Sequence, residues 1–176
     1  RSEESTSKVA DGLELRVGPD SGASRVVLRV VDGIRVAPAP DRVQMRLKAA
    51  GMRSVSNVVD ATNYVMLELG KPTHAFDRAA VGARIEIRRA KAGESIETLD
   101  HVSRELVDDD VVVADERAAL ALAGVMGGAS SEVASATTSV IVESAIFDPG
   151  RVRRSARRHS LRSEASHRFE RGQEIG

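Results

Sequence analysis

The spacing of apolar and polar positions changes twice along the chain. Val26, Val27, Leu28, Val30 and Val31 form a short run rich in branched residues, which predicts a buried strand, and Asp32-Gly33 supplies a turn after it. Pro38 and Pro40 lead into a segment starting at Asp41 in which Val43, Leu47 and Ala50 recur at helical spacing, with Gly51 as the stop. A second helix is predicted from about Ser56 to Leu69, capped by Ser56 or Asn57 and ended by Gly70 and Pro72. His74 falls just beyond that end. The period then shortens: Arg84-Ile85-Glu86-Ile87-Arg88 alternates strictly, as a half-buried strand does. Further strands are predicted at about 95–99, 104–107, 111–114, 119–124 and 139–143. One pair is joined through Asp100-His101, where glycine would be the easier second turn residue, although His visits positive φ more readily than branched residues do. After Phe147 the helical period returns. Asp148 can cap, Pro149 suits a first turn, and Ser163 with Glu164 can start another helix stopped by Gly172. The pattern predicts an α+β fold in which short strands stack as in a sandwich, with helices near both ends.

Residues 1–24 mix Ser, Gly, Asp and Glu with few apolar positions and are expected to form a loose lead-in or linker. Residues 25–172 then make the folded unit, and 173–176 a truncated tail. The chain opens at Arg1 without a methionine and closes at Gly176 just after a predicted helix, so both ends are expected to be excision boundaries of a longer polypeptide.

Composition narrows the chemistry. The 176 residues suffice for a substantial core, but aromatics supply only 2% of them, so that core must rest on Val, Leu, Ile and Ala, with little material for stacking exposed bases. Lys plus Arg balance Asp plus Glu at 26 each, which argues against holding nucleic acid by overall charge; any RNA contact must be local. Without cysteine there is no disulfide framework, thiol nucleophile or thiolate metal site, which suits a cytoplasmic protein. No apolar run approaches membrane-spanning length, so no membrane partner is expected.

Five segments are more distinctive than this pattern. They are Asn57-Val-Val-Asp-Ala-Thr-Asn-Tyr-Val-Met-Leu-Glu-Leu-Gly70, Thr73-His-Ala-Phe-Asp77, Leu122-Ala-Gly-Val-Met-Gly-Gly128, Glu143-Ser-Ala-Ile-Phe147 and Ser163-Glu-Ala-Ser-His-Arg-Phe-Glu-Arg-Gly172. Together, in this order and spacing, they resemble the beta subunit of bacterial phenylalanyl-tRNA synthetase from about residue 25 to 172. The chain departs from the family near Arg25, at Asp100-His101, and at Gln173-Glu-Ile-Gly176.

The resemblance implies the paired third and fourth domains of that subunit, an α+β unit whose hydrolytic site removes tyrosine wrongly attached to the phenylalanine tRNA. Such a second site is useful because an apolar synthetic pocket rejects an added hydroxyl by only about a hundredfold. A site that hydrogen-bonds the phenol inverts the test, since phenylalanine leaves a buried polar group unpaired at about 1–3 kcal/mol. By resemblance, His74 orients the attacking water or the ester, Thr62 and Asn63 hold the aminoacyl group, and Glu143 accepts the phenol proton. The amides of Gly127 and Gly128 face the carbonyl oxygen, glycine there permitting close approach and positive φ, and Ala165 leaves room for the ring. Each residue also has a plainer reading: a loop-tying His, water-facing helix residues, a strand-end charge, a tight turn, a helix-favouring alanine.

Arginines crowd the stretch from 151 to 171; Arg151, Arg154 and Arg158 are expected to meet tRNA phosphates, the alternative being solvated helix faces or contact with the rest of a synthetase. His101, His159, His167 and Glu132 are left as structural or surface residues, and no metal is expected, because no two histidines share helix-face spacing with a nearby carboxylate. The parent enzyme implied by the resemblance uses ATP and Mg2+ and pairs two alpha with two beta subunits, so ATP, magnesium, tRNA(Phe) and the alpha subunit are partners of the whole and no cofactor is expected in this region. Two other functions stay open: a tRNA-docking scaffold that edits little, and a free-standing editing protein.

Overall fold

The computed structural model describes residues 5–8 and 12–172. In chain order it contains strands β1 (Ser5–Lys8), β2 (Glu14–Val17) and β3 (Ala23–Asp32), helices α1 (Asp41–Ala49) and α2 (Asn57–Leu69), and strand β4 (Thr73–Asp77). There follow β5 (Arg84–Arg89), β6 (Ser95–Glu97), β7 (Ser103–Glu105), β8 (Val111–Ala114), β9 (Ala119–Leu122), β10 (Met126–Gly127), β11 (Ser139–Phe147), α3 (Pro149–Arg158) and α4 (Glu164–Phe169).

These elements form for the local reasons the pattern suggests. Ser56 caps α2 by accepting from the Val59 N–H, and Gly70 closes it in the left-handed region at φ 67°. Asp148 caps α3 by accepting from the Arg151 N–H at 2.8 Å, with Pro149 in the first turn. The alternation of β5 buries Ile85 and Ile87 completely and leaves Arg84 and Arg88 to pair with Glu14 and Glu94. His101 does take the positive φ that the Asp100-His101 turn demands, at 58°.

Six strands join in the order β1-β2-β5-β8-β9-β10, and three in the order β3-β11-β4, with β6 and β7 as a separate hairpin. One cluster of buried side chains draws on both larger sheets and on α3 and α4, including Leu15, Leu28, Phe76, Ile85, Val113, Leu122, Ile141, Phe147, Val152 and Phe169. The fold is therefore α+β with stacked sheets, as expected. Helix α2 packs on β4, and α1 on α2. Among the described residues no helix is long and apolar enough to cross a membrane.

Two segments differ from expectation. Within the supposed lead-in, β2 pairs in parallel with β5, and Leu13 and Leu15 lie in the core. A strand this short offers only two or three apolar positions, and its partner lies far along the chain, so local patterning does not reveal it. Residues 73–77, expected only as the segment after a helix, form β4, because the edge of β11 not taken by β3 supplies a partner. Residues 1–4, 9–11 and the expected tail 173–176 lie outside the described residues.

Helix α3 is fastened to the turn before β8. Asp110, fully buried, accepts from the Ser155 hydroxyl at 2.6 Å, Arg158 Nη1 at 2.5 Å and the Val107 N–H at 3.0 Å, and His159 Nε2 lies 2.9 Å away. Burial alone would raise its carboxyl, but the Ser155 hydroxyl, the Val107 N–H and His159 hold it below the usual range. Its contribution to stability is present above the ordinary Asp range and is lost as the pH falls through the depressed value. Asp110→Ala should lower unfolding stability by about 3 kcal/mol or more near neutral pH, read by denaturant titration, with the deficit shrinking in acid.

Candidate functional site

Strand β11 lies between β3 and β4, and its side chains alternate. Ile141, Glu143, Ala145 and Phe147 are buried, with Ser144 exposed between them. The antiparallel register sets Ile141 opposite Phe76, and Glu143 opposite His74 on one side and Leu28 on the other. Directly opposed residues share a face, so the two ionisable side chains are neighbours on a surface otherwise made of Phe76, Ile141, Ala145 and Leu28.

His74 is half-buried and packs edge-to-face on Phe76, the ring centroids 4.5 Å apart. Burial pushes its imidazole down to about 4, so it is neutral at physiological pH. Glu143 is only 7% exposed, and burial lifts its carboxyl to about 7. Among the described residues no group donates a hydrogen bond to that carboxyl.

Gly127 completes the arrangement. A Cβ there would stand 2.5 Å from His74 Cε1 and 2.8 Å from Nε2, so only a bare backbone leaves room for the imidazole in this position. Leu99 closes in from the other side: its N–H donates to the Gly127 carbonyl at 3.0 Å, and its Cδ1 would also touch a Cβ at Gly127. Gly128 differs from expectation. Its N–H donates to the Leu120 carbonyl at 2.7 Å within the β-sheet, so it is committed to the fold and does not face a substrate oxygen. Neither glycine has a positive φ; what they share is a close approach, Gly128 to the Leu120 backbone and Gly127 to a side chain.

The other expected residues stand on α2, which packs on β4, and on α4, which packs on the core. Thr62 and Asn63 flank Met66, a buried residue of α2, the helix that packs on β4. The Thr62 hydroxyl donates to the Val59 carbonyl at 2.8 Å, which leaves its oxygen lone pairs for a ligand. Ala165 is half-buried in the first turn of α4 against the core. The Ser163 hydroxyl donates to the Val125 carbonyl at 2.6 Å, tying that helix start to the turn just before Gly127. Asp77, at the end of β4, is held by the Thr137 hydroxyl at 2.7 Å.

The arginines expected to meet phosphates pair with acidic residues of the turn before β8, with Arg154 and Arg158 still exposed to solvent. Arg154 makes a fork on Asp109 at 2.9 and 3.2 Å, Arg158 reaches both Asp109 and Asp110, and Arg151 lies 3.9 Å from Asp109 with its stem over Gly22. The Arg154 fork pulls Asp109 down to about 2. The signal for this pairing was the acidic run Asp108-Asp109-Asp110 itself. Leu99 and Phe76, which shape the space around His74, carry no polar chemistry, so residue type alone gives no signal of that role.

Comparison with known proteins matches residues 22–175 to the B3/4 domain family. The chain is 51% identical over 168 residues to the phenylalanine–tRNA ligase beta subunit of Anaeromyxobacter dehalogenans, covering 95% of this chain and 21% of that protein. It is 54% identical over 150 residues to the corresponding subunit of Moorella thermoacetica, covering 85% and 19% respectively. The chain thus spans about a fifth of the length of these curated relatives. Among solved structures it resembles an N-terminal fragment of the phenylalanyl-tRNA synthetase beta subunit from Pyrococcus horikoshii, with a TM-score of 0.59, 13% identity, and 89% of this chain against 53% of that one. At that identity the likeness speaks for the fold.

Two outcomes follow from this geometry. Gly127→Ala should destabilise the fold by about 1–3 kcal/mol through overpacking against the imidazole, and by clearly less in a His74→Ala background; a double-mutant cycle by denaturant unfolding measures the coupling. Glu143, raised when folded, is protonated in both states in acid, and its burial penalty grows from the ordinary Glu range up to about 7 and is full above it. Glu143→Gln should therefore leave stability at pH 4 nearly unchanged and raise it by on the order of 3 kcal/mol at pH 8.

Proposed function

The chain belongs to the B3/4 domain family and is homologous to phenylalanine–tRNA ligase beta subunits, and from that footing we propose that it hydrolyses tyrosine from mischarged phenylalanine tRNA as the editing part of such a subunit. The observation that carries this reading is the pairing of His74 with Glu143 on an apolar face, with Gly127 against the imidazole. A carboxyl without a hydrogen-bond partner in such a place favours a ligand that brings one, and the phenol of tyrosine does so. Phenylalanine has the same ring and no hydroxyl, so it leaves Glu143 unsatisfied.

The chemistry is ester hydrolysis. Water attacks the carbonyl carbon, the bond to the ribose oxygen breaks, and a proton from water ends on that oxygen. The neutral imidazole of His74 accepts a hydrogen bond from the water and aims its lone pair. The bare backbone at Gly127 lets the His74 imidazole keep its position, and the small side chain of Ala165 leaves the ring its space. Thr62 and Asn63 are assigned to the aminoacyl group, and Gly128 to the strand pairing that holds Gly127 in place. ATP and Mg2+ belong to the synthetic reaction of the whole enzyme and enter no step here; among the described residues no group of three or more His, Asp or Glu side chains is placed to hold a metal ion. The cytoplasmic setting, tRNA(Phe) and the alpha subunit of the α2β2 enzyme belong to the same proposal.

Deacylation of tyrosyl- and phenylalanyl-tRNA by the full-length enzyme tests it. His74→Ala should slow tyrosine clearance by about a hundredfold. Glu143→Ala should narrow the preference for tyrosine over phenylalanine by about 5- to 100-fold, and Ala165→Trp should block entry of the ring. Tyrosine clearance that survives all three changes would sink the assignment.

A further inference from the structure

Five arginines stand on the ten residues of α3, and they do not serve one purpose. At about 100° per residue, helical phase sorts the side chains into three faces. Val152, Ser155 and Ala156 are buried. Arg151, Arg154 and Arg158 share the face that meets Asp109 and Asp110. Arg153 and Arg157, one turn apart, form the third face, exposed and without an ion-pair partner among the described residues.

That third face borders a groove of about 780 Å³ between α3 and α4, onto which Arg162 and His167 also open. Its acidic residues are Glu164, already paired with Arg168 at 2.7 Å, and Glu170. Arg162 likewise has no ion-pair partner among the described residues. Like charges one turn apart on a helix repel, so Arg153 and Arg157 are held together at some cost to α3. An anionic ligand that spans both relieves it. The groove also shares α4 with the candidate site: Ser163, next to Arg162, is bonded to the Val125 carbonyl just before Gly127, and Ala165 lies on the following turn.

We infer that this groove holds the phosphodiester backbone of an RNA strand, with Arg153, Arg157 and Arg162 as its anion-binding groups. The inference rests on the reading that the adjacent site acts on an ester at the end of an RNA. Guanidinium forks suit phosphate because two N–H groups meet two oxygens, and two such forks a helical turn apart suit a ligand with anions in series. A neutral chain has no general attraction for polyanions, so a local cluster spared from internal pairing is the form such binding must take. The neighbouring Arg154 and Arg158 already share Asp109 and Asp110, so the uncompensated charge of α3 lies on the face of Arg153 and Arg157.

The test uses the full-length enzyme and uncharged tRNA, with affinity measured by fluorescence anisotropy across a salt series. Arg153→Glu with Arg157→Glu should weaken binding at least tenfold and reduce the salt slope by about 1.4, at about 0.7 per lost phosphate contact. Arg153→Gln with Arg157→Gln should show the same direction more mildly, and Arg162→Gln likewise. An equal charge change at Arg42 and Lys48 on the exposed outer side of α1 should have little effect. Groove variants that bind tRNA like this control overturn the inference. So does a groove variant that keeps tRNA affinity but dissociates the enzyme's subunits in sedimentation, which would mark a protein interface. The two proposals separate cleanly: groove variants should raise KM for tyrosyl-tRNA deacylation with kcat retained, whereas His74→Ala should lower kcat with tRNA affinity retained. Tyrosine clearance that survives His74→Ala, Glu143→Ala and Ala165→Trp, with tRNA affinity still dependent on the groove, would defeat only the editing assignment.

Discussion

Strand β11 hydrogen-bonds to β3 on one side and β4 on the other, and its side chains alternate between the common core and the opposite face. Because that alternation has a period of two, a slip of one residue would turn Glu143 out and Ser144 in, and would also part His74 from its neighbour. The large side chains around the pair prevent such a slip. Phe76 opposite Ile141, and Ala145 opposite Val26, can be buried only in this register. The apolar packing that holds the sheets together is thus the same packing that places a carboxyl and an imidazole side by side on an apolar face.

Low polarity then decides what those groups are. A histidine in water is half protonated near neutrality, and a glutamate is fully ionised. On this face both shift toward their neutral forms for one cause, the loss of solvation, with no nearby opposite charge to offset it. The contrast with Asp109 and Asp110 is instructive. Those carboxyls are equally tied to structure, but arginine, serine and histidine partners keep them ionised, and they serve as fasteners. Carboxyls in one domain therefore divide into satisfied ones that hold elements together and an unsatisfied one that favours a ligand.

Much of this was legible in local sequence. Ser56, Gly70 and Pro72 bracket α2 by capping chemistry, and the Arg84–Arg88 alternation states which β5 side chains go inward. The run Val111-Val112-Val113-Ala114 is buried throughout, as an unbroken apolar strand must be. What stayed hidden depends on partners distant in the chain. Neither β2 nor β4 has enough apolar residues to announce a strand alone, and both exist because β5 and β11 offer them an edge. The arginines of α3 look equivalent as letters; helical phase and the Asp108–Asp110 turn divide them into fasteners and free charges. Gly127 and Gly128 look like a flexible pair, yet one yields space to an imidazole and the other to a neighbouring carbonyl.

The parallel pairing of β2 with β5 has a consequence for the order in which the chain folds. Everything from β3 through β4 is threaded between those two strands, so two of the three strands in the smaller sheet belong to a single long crossover. The third, β11, arrives only after the larger sheet has been laid down in sequence. Closing such distant pairings is entropically slow, and folds dominated by them form more sluggishly than those built from local contacts. The surface bearing His74 and Glu143 accordingly cannot close during synthesis until the chain as far as β11 has emerged, and no shorter nascent segment presents the two side chains together.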